Sequence, residues 1–429
     1  MKALSYTHPI HTIPQAMATP NKVLLVGIDV SSDIHVARAV TGTMVKVGRG
    51  CSFNSSAEGL QSFLAWLAET QATVDATSTF IGMESTGIYW RILYEHLRDT
   101  LPDCGVYLVF TTAVYYARKM RGTNCSKTDP QDAFLIAELL AYGKCCRPIQ
   151  RTAAIMRMRE GLHLYRDAAK RLHQAWQQLH AIMSRVFPEA LKDRSADGVS
   201  GLFTILHDSP VPADITAIPE DQWVIAHVKQ GRGRAYLRKI YRLAQSAEHT
   251  HPDLVCDPEM WRLQYKTWHC EQQRKEKLVE MLKEYLMDLP AAELVLSVPS
   301  LGVLAASAFL STIGDITQFH SARQVEKCFG LDFLRNQSGN FDAPPRITKR
   351  GNAYARYLLF GAALRWYNSD PYACAWCQRR FPVGAEGPGK KITIALAAKL
   401  IRVLFSIVRS GMPYVPALAF STDEHGLTA

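Results

Sequence analysis

Apolar and polar positions between residues 23 and 140 change repeatedly from a strand-like to a helix-like period. Residues 23–30 form an apolar run rich in β-branched side chains, and residues 34–40 alternate between apolar and polar positions, as strands do. Residues 57–69 instead place leucine and phenylalanine at helical spacing. The pattern predicts strands at 23–30, 34–40, 44–53, 78–84 and 106–110, and helices at 57–69, 88–99, from about 113 and from Asp129 to about Leu140.

The order of these elements favours one class of fold. The first three strands can pair as an antiparallel meander, and the later strands are separated by helices, as parallel strands are. This order is expected of a ribonuclease-H-like fold, although several α/β folds begin in the same way. We therefore expect an α/β amino-terminal domain over residues 22–150, after a flexible extension at 1–21.

The rest of the chain has a mainly helical pattern. Residues 151–187 and 256–288 predict two long helices, which either pair as an antiparallel coiled coil or pack each on its own domain. A mixed segment with Pro, Gly and Asp turns separates them. From 291 a helix–turn–helix pattern surrounds Pro299 and Gly302, and two further helices follow. The two further helices are predicted at 352–367 and 391–409. The predicted divisions are a helical coiled-coil region at 151–290 with an insertion near 190–255, a mainly α carboxy-terminal domain at 291–416, and a tail at 417–429.

Composition and charge narrow the class of protein. The chain has 429 residues, of which 48% are hydrophobic, so whole-chain disorder is not expected. Its 49 Lys and Arg exceed its 39 Asp and Glu, which suits a polyanionic partner such as nucleic acid or an acidic membrane surface.

Targeting and cysteine patterns point to a cytoplasmic protein. No membrane span is expected, because the most apolar stretch, 394–408, is short and contains two basic residues. The first twenty residues lack the apolar core of a secretory signal. The ten cysteines have no regular spacing, which predicts reduced thiols. Cys374 and Cys377 form a CxxC pair without a second pair at finger-like spacing, so a zinc site is not favoured.

Four acidic residues form the main candidate site. Asp29 and Glu84 each end a strand, and Asp129 and Asp132 are three residues apart at a helix start, so they share a helix face. Converging carboxylates suit hard divalent cations such as Mg²⁺, with two ions possible, and a two-metal site promotes phosphoryl transfer. Taken singly, each residue has a structural alternative, and Asp129 before Pro130 is a good helix cap.

Three segments resemble a known family. GIDVSSDIHVA, GMESTGIYW and KTDPQDAFLIAELL look like the amino-terminal half of DEDD transposases of the IS110 family and its IS1111 subgroup. The resemblance implies a RuvC-like (RNase H-like) catalytic domain and places the acidic tetrad on Asp29, Glu84, Asp129 and Asp132. Lys127, in the third segment, either contacts phosphate or is an ordinary surface lysine.

The carboxy-terminal segments resemble the same family. GDITQFHSARQVEKCFGL and ITKRGNAYARYLLFGAALRW follow its transposase domain, so the resemblance covers nearly all of the chain after residue 22. Ser300 and Leu301 depart from the family's Pro-Gly-Ile-Gly turn. In the family, a serine before glycine attacks DNA and becomes covalently linked to it, which implies that Ser338 is the nucleophile. A Ser-Gly pair otherwise indicates a turn.

Basic residues dominate positions 343–410, where Asp370 and Glu386 are the only acids. Such one-sided charge fits binding to a phosphate backbone. Tyr354, Tyr357 and Trp366 either stack on bases or belong to the core. The amides that follow Asn352 either receive a phosphate or are simply capped. The predicted nucleic-acid contacts are Lys127, Arg346, Lys349, Arg350, Arg356, Lys390 and Lys391.

The resulting hypothesis is a DNA transposase or recombinase that excises and inserts an insertion sequence. The resemblance implies metal-assisted strand cleavage through a serine–DNA intermediate, a bridge RNA that pairs with donor and target DNA, and a homotetramer built from two dimers. One alternative is a metal-dependent Holliday-junction resolvase or nuclease that uses water. Another is a nucleic-acid-binding scaffold without catalysis.

Overall fold

The structure is a computed structural model, and it describes residues 20–85, 87–121, 129–149, 151–192, 198–228, 233–247, 257–338, 341–380 and 389–421. The chain divides into two compact units. The first unit combines Met1–Thr152 with Glu293–Ala429, and the second is Ala153–Ala292. The division into five segments made from the sequence stays a prediction.

A mixed sheet forms the amino-terminal part of the first unit, as the hydrophobic pattern predicts. Its strands are β1 (Val23–Asp29), β2 (His35–Thr41), β3 (Lys46–Phe53), β4 (Ser78–Glu84), β5 (Gly105–Val109) and β6 (Cys145–Cys146). The sheet order is β3-β2-β1-β4-β5-β6. Strands β1, β2 and β3 pair antiparallel, whereas β4 is parallel to β1 and β5 is parallel to β4. The two-residue strand β6 was not predicted, because so short a segment has no readable period.

Helices cover both faces of this sheet. They are α1 (Ala57–Thr73), α2 (Trp90–Thr100), α3 (Thr111–Met120) and α4 (Asp129–Ala141). Successive residues of β1 point to opposite faces, so Leu24 and Val26 pack with α1 and α2, and Val23 and Leu25 pack with α3 and α4. Helix α4 lies directly against β1, since a Cβ atom at Gly27 would be 2.0 Å from the Ala133 carbonyl oxygen.

Every regular element in the described residues of the second unit is a helix. Its helices are α5 (Ala153–Val186), α6 (Pro188–Lys192), α7 (Gly198–Ile205), α8 (Pro212–Thr216), α9 (Glu220–Val228), α10 (Arg234–Gln245) and α11 (Pro258–Met287). The long helices α5 and α11 are antiparallel: Arg171 Nε donates to Glu271 Oε1 over 2.8 Å, and Gly161 packs on Leu282 further along. The two long helices are confirmed, and their supercoiling stays a prediction. The shorter helices build an aromatic core with them, which includes Phe203 and Trp261.

The carboxy-terminal part of the first unit is mostly helical, as predicted. It contains α12 (Ala292–Leu296), α13 (Val303–Ile313), α14 (Ala322–Phe329), β7 (Phe333–Ser338), β8 (Phe341–Ile347), α15 (Ala353–Ser369), α16 (Pro371–Arg380), α17 (Lys390–Ser410) and α18 (Pro416–Ser421). Strands β7 and β8 form a hairpin that the sequence pattern did not predict. Within the described residues, no helix is both long enough and apolar enough to cross a bilayer.

Candidate active site

Asp29 and Glu84 lie at one edge of the sheet. Each is the last residue of its strand, β1 or β4. These strands are parallel neighbours, and the residues just before the two acids, Ile28 and Met83, are paired in register. Both acids are partly buried. The strand register therefore places the two residues next to each other at one edge of the sheet, and the predicted adjacency of their strands is confirmed.

Asp132 reaches the same region from helix α4. Its side chain is buried, with the residue 5% exposed. The close approach of α4 to Gly27 brings Ala133, the residue after Asp132, against the last part of β1. Asp129, the first residue of α4, is exposed. The fold thus brings the backbone at Asp132 close to the last part of β1, with Asp129 one turn earlier on the same helix.

Arg118 binds both carboxylate oxygens of Asp132. Its Nε donates to Oδ1 over 3.1 Å, and its Nη2 lies 2.9 Å from Oδ2. Arg118 belongs to α3, and no sequence motif singles it out. A guanidinium with two parallel N–H donors is the strongest side-chain partner available to a carboxylate, and this pair compensates for the burial of Asp132.

The four predicted ligands have the right chemistry for a hard divalent cation, because each of them offers carboxylate oxygens. Among the residues that the structure describes, however, no group of three or more His, Cys, Asp or Glu side chains is close enough to hold a metal ion. The two oxygens of Asp132 are occupied by Arg118. A cation that used those oxygens would therefore compete with Arg118.

Ser338 lies at the tip of the hairpin. It is the last residue of β7, and its backbone is paired with Phe341, the first residue of β8. The side chain of Ser338, and Gly339 after it, lie outside the described residues, as does Lys127. The predicted nucleophile is thus placed at the end of a strand of the hairpin, and its role stays a prediction.

Most of the predicted nucleic-acid contacts are on the surface. Those that the structure shows as exposed are Arg346, Lys349, Arg350, Lys390 and Lys391. Arg356 differs, because its guanidinium donates to the Phe329 carbonyl over 2.7 Å and burial lowers its pKa. The hydrogen bond that the structure shows for Arg356 is therefore made within the protein, and its contact with nucleic acid stays a prediction.

The loop before α15 is fixed by its backbone. Lys349 has a φ of 54° and Gly351 a φ of 128°. A Cβ atom at Gly351 would be 2.4 Å from the Cys328 carbonyl oxygen, so only glycine fits there. Asn352 caps the helix by accepting from the Ala355 amide, and its own amide group donates to Thr312 Oγ1, each over 3.0 Å. The plain capping role of Asn352 is confirmed.

The aromatic residues of α15 that the sequence singles out are of two kinds, buried and exposed. Trp366 is fully buried and donates to Asp370, so it is a core residue and not a base-stacking one. Tyr357 is 69% exposed and stacks on Tyr354 at 6.2 Å between ring centroids. Helical spacing alone could not show which of these aromatic rings is buried in the core and which is exposed on the surface.

Comparison with known proteins matches two stretches of the chain. A DEDD transposase model of the IS110 type covers residues 26–188, and a model described as the transposase IS116/IS110/IS902 family covers residues 292–376. The first stretch contains all four candidate acids, and the second contains Ser338. Both models describe the same transposase family, and together they span more than half of the chain.

Individual relatives match shorter stretches. The transposase for insertion sequence element IS1111A of Coxiella burnetii is 41% identical over 69 residues, which is 16% of this chain and 19% of the relative. An uncharacterized protein of insertion element IS110 in Streptomyces coelicolor is 28% identical over 33% of this chain and 35% of its own length. The transposase for IS1328 of Yersinia enterocolitica is 25% identical over 43% of this chain and 54% of its own length. The matched regions thus span from about a fifth to about half of these relatives.

Proposed function

We propose, from the premise that this chain is an IS110-family DEDD transposase, that it cuts and rejoins DNA strands during movement of an insertion sequence. The observation that carries the proposal is that Asp29 and Glu84 end neighbouring parallel strands, with Asp132 next to Ala133, whose backbone packs on β1. Carboxylates gathered in this way suit phosphoryl transfer. The basic surface of the carboxy-terminal part suits a phosphate backbone.

In this proposal the acidic residues and Ser338 have separate roles. Asp29, Glu84, Asp129 and Asp132 would hold Mg²⁺, which when bound neutralises charge on the reacting phosphate and favours deprotonation of the attacking hydroxyl. Ser338 supplies that hydroxyl. The exposed residues Arg346, Lys349, Arg350, Lys390 and Lys391 hold the DNA backbone.

The proposed reaction conserves phosphodiester energy. The Ser338 oxygen forms a bond to phosphorus while the bond from phosphorus to one deoxyribose oxygen breaks. The serine proton passes to a carboxylate, and the leaving oxygen takes up a proton. A hydroxyl of the second DNA strand then attacks the phosphoserine, and serine is released. One phosphodiester has replaced another, so no external energy source is required.

The finer parts of the proposal come from the family resemblance. They are a ribonuclease-H-like sheet, membership of the IS1111 subgroup, guidance by a bridge RNA, and a tetramer of two dimers in which serine and acids come from different subunits. Action on bacterial nucleoid DNA in the cytoplasm belongs with them. The antiparallel-then-parallel strand order supports the first of these.

Two substitutions test the proposal on a plasmid that carries the insertion sequence with its flanking DNA. We expect Ser338→Ala to abolish the detergent-resistant protein–DNA adduct, because no other hydroxyl replaces the nucleophile. Asp132→Asn should lower strand cleavage by about a hundredfold or more. Gln337→Ala, next to the serine, is the control that keeps both signals. The measurement is adduct formation by gel shift after denaturation, together with recombinant product.

The outcomes separate the candidate functions. Persistent strand cleavage in Ser338→Ala without an adduct would replace the proposal with a resolvase or nuclease that uses water. Unchanged DNA exchange in Asp132→Asn would remove the acidic site from the mechanism and favour a scaffold. Chelation of divalent cations should stop cleavage in the unaltered protein, and cleavage that continues in chelator would contradict the Mg²⁺ role.

A further inference from the structure

The pair between Arg118 and Asp132 joins an accessible cation to an inaccessible anion. The Arg118 side chain is 39% exposed, whereas that of Asp132 is 8% exposed. Both oxygens of Asp132 face the guanidinium. A buried carboxylate that loses its partner is strongly destabilised, so Asp132 gives up Arg118 only when another cation takes its place. Arg118, in contrast, can exchange Asp132 for any anion that arrives from solvent.

The outer face of α3 has the chemistry of a nucleic-acid surface. Tyr115 and Tyr116 are 50% and 63% exposed. Lys119 lies over the Tyr115 ring at 4.7 Å from its centroid, and a hydrogen bond with Tyr115 raises the Lys119 pKa. Exposed aromatic rings beside positive charges bind unpaired bases and their phosphates. Arg118 is three residues after Tyr115, so it lies one helical turn away on an adjoining face.

This surface stands beside the acidic residues. Helix α3 begins two residues after β5 ends, and β5 is the parallel neighbour of β4. The carboxyl end of β4 carries Glu84, which is paired in register with Val109 at the end of β5. A strand of nucleic acid on α3 would therefore run past the acidic edge of the sheet.

We propose that Arg118 is a positioning residue that couples nucleic-acid binding to cation binding: a backbone phosphate on α3 takes Arg118 away from Asp132 and frees Asp132 for a divalent cation. The inference rests on the proposed role of Asp132 as a ligand. It assigns to Arg118 and to the face formed by Tyr115, Tyr116 and Lys119 a function that no sequence motif indicates. No bond is made or broken in this step, and one ion pair is exchanged for two.

Manganese titrations followed by electron paramagnetic resonance test this coupling on the full chain. A single-stranded DNA oligonucleotide should raise the Mn²⁺ affinity of the unaltered protein about tenfold, and by reciprocity Mn²⁺ should raise oligonucleotide affinity by the same factor. Arg118→Gln should bind Mn²⁺ about tenfold more tightly without DNA and gain nothing further from the oligonucleotide. An oligonucleotide with an uncharged methylphosphonate backbone should give no coupling to the unaltered protein, because it offers Arg118 no anion.

Arg121 offers a matched control. It directly follows α3 and pairs with Glu138 of α4, about two turns beyond Asp132. Arg121→Gln removes the same charge from the same region, and we expect Mn²⁺ affinity and coupling equal to those of the unaltered protein. Arg118→Lys, which keeps the charge, should fold even where Arg118→Gln does not, and should show intermediate coupling. Tyr115→Ala with Tyr116→Ala should weaken oligonucleotide binding and leave Mn²⁺ affinity without DNA unchanged.

The results distinguish failure of this inference from failure of the proposed function. Equal Mn²⁺ affinity and equal coupling in Arg118→Gln and the unaltered protein would overturn the exchange. Weaker Mn²⁺ binding in Arg118→Gln would also overturn it, since Arg118 would then hold Asp132 in its ligand position. If Asp29→Asn and Glu84→Gln leave Mn²⁺ binding intact, the acidic residues do not hold the cation, and the proposed function fails instead.

Discussion

His35 lies at the start of β2, where the residue is 1% exposed and both ring nitrogens have neutral partners. Nδ1 faces the Ser31 amide at 3.3 Å, and Nε2 lies 2.8 Å from Ser55 Oγ. Burial lowers the pKa of His35. The fold thus holds a neutral imidazole in the strand that borders β1, close to the residue that pairs with Asp29.

This arrangement predicts a loss of stability in mild acid. Below the ordinary histidine pKa of about 6.5, the unfolded chain binds a proton at His35 more readily than the folded chain does, so the free energy of unfolding falls as pH falls. His35→Asn keeps an acceptor for Ser31 and cannot take up that proton. We expect its free energy of unfolding to depend less steeply on pH below the ordinary histidine pKa of about 6.5. Urea unfolding at a series of pH values measures the slope, and equal slopes would contradict the burial argument.

Some residues of the candidate site could be identified from the sequence alone, and others could not. Asp29 and Glu84 were recognisable because they end predicted strands, and strand ends meet at one edge of a sheet. Arg118 was not recognisable, because its contact with Asp132 depends on how α3 packs beside α4. A lysine or arginine on a helix gives the same sequence signal whether it pairs with solvent or with a catalytic acid.

At the scale of elements, the contact between α4 and β1 sets the position of the acidic residues. A Cβ atom at Gly27 would lie 2.0 Å from the Ala133 carbonyl oxygen and 2.5 Å from the Ala137 amide nitrogen. Both neighbours are backbone atoms of a helix, which cannot move separately. The absence of a side chain at this one position therefore allows α4 to lie on the sheet.

We predict that Gly27→Ala destabilises the first unit by about 3 kcal/mol or more, the upper range for overpacking, because helix and strand must separate. The same shift moves Asp132 away from Asp29, so strand cleavage should fall in the fraction that remains folded. Gly361→Ala is the control: its Cβ would meet only the Arg365 side chain, at 3.6 Å, and alanine favours a helix by about 0.5–1 kcal/mol. Urea unfolding compares the two, and equal stabilities would refute the close packing.

Periodicity predicted the regular elements well and the irregular ones poorly. Strands β1 to β5 and helices α1 to α5 each coincide with a segment that the pattern assigned to the same type of element, either by its period, as at 34–40 and 57–69, or by an apolar run, as at 23–30. The hairpin of β7 and β8 did not, because β7 is largely polar and β8 contains Pro344 and Pro345, which usually argue against a strand. The helices between Pro188 and Gln245 were not predicted one by one. Helices α6 and α8 have five residues each, too few to show a helical repeat, whereas the twelve residues of α10 do have one, which the mixed composition of the segment obscured.

At the scale of the whole molecule, the second unit has a hydrophobic core of its own. The buried cluster runs from Ala175 to Trp268, entirely within Ala153–Ala292. Phe203 is fully buried between two tryptophans, with ring centroids 5.9 Å from Trp261 and 6.0 Å from Trp268. A core that draws on no residue of the first unit supplies the main condition for independent folding.

We therefore predict that residues 153–292, produced alone, fold into a helical unit with a cooperative unfolding transition. Trp223, Trp261 and Trp268 are at most 5% exposed, so their fluorescence should be blue-shifted and should move to the red on unfolding in urea. Phe203→Ala should lower the free energy of unfolding by about 3–5 kcal/mol, because it leaves a cavity between two rings. In the full chain, the same substitution should shift this transition and leave that of the first unit in place. A fragment with solvent-exposed tryptophan emission and no cooperative transition would show that the second unit depends on the first for its fold, whatever its core contains.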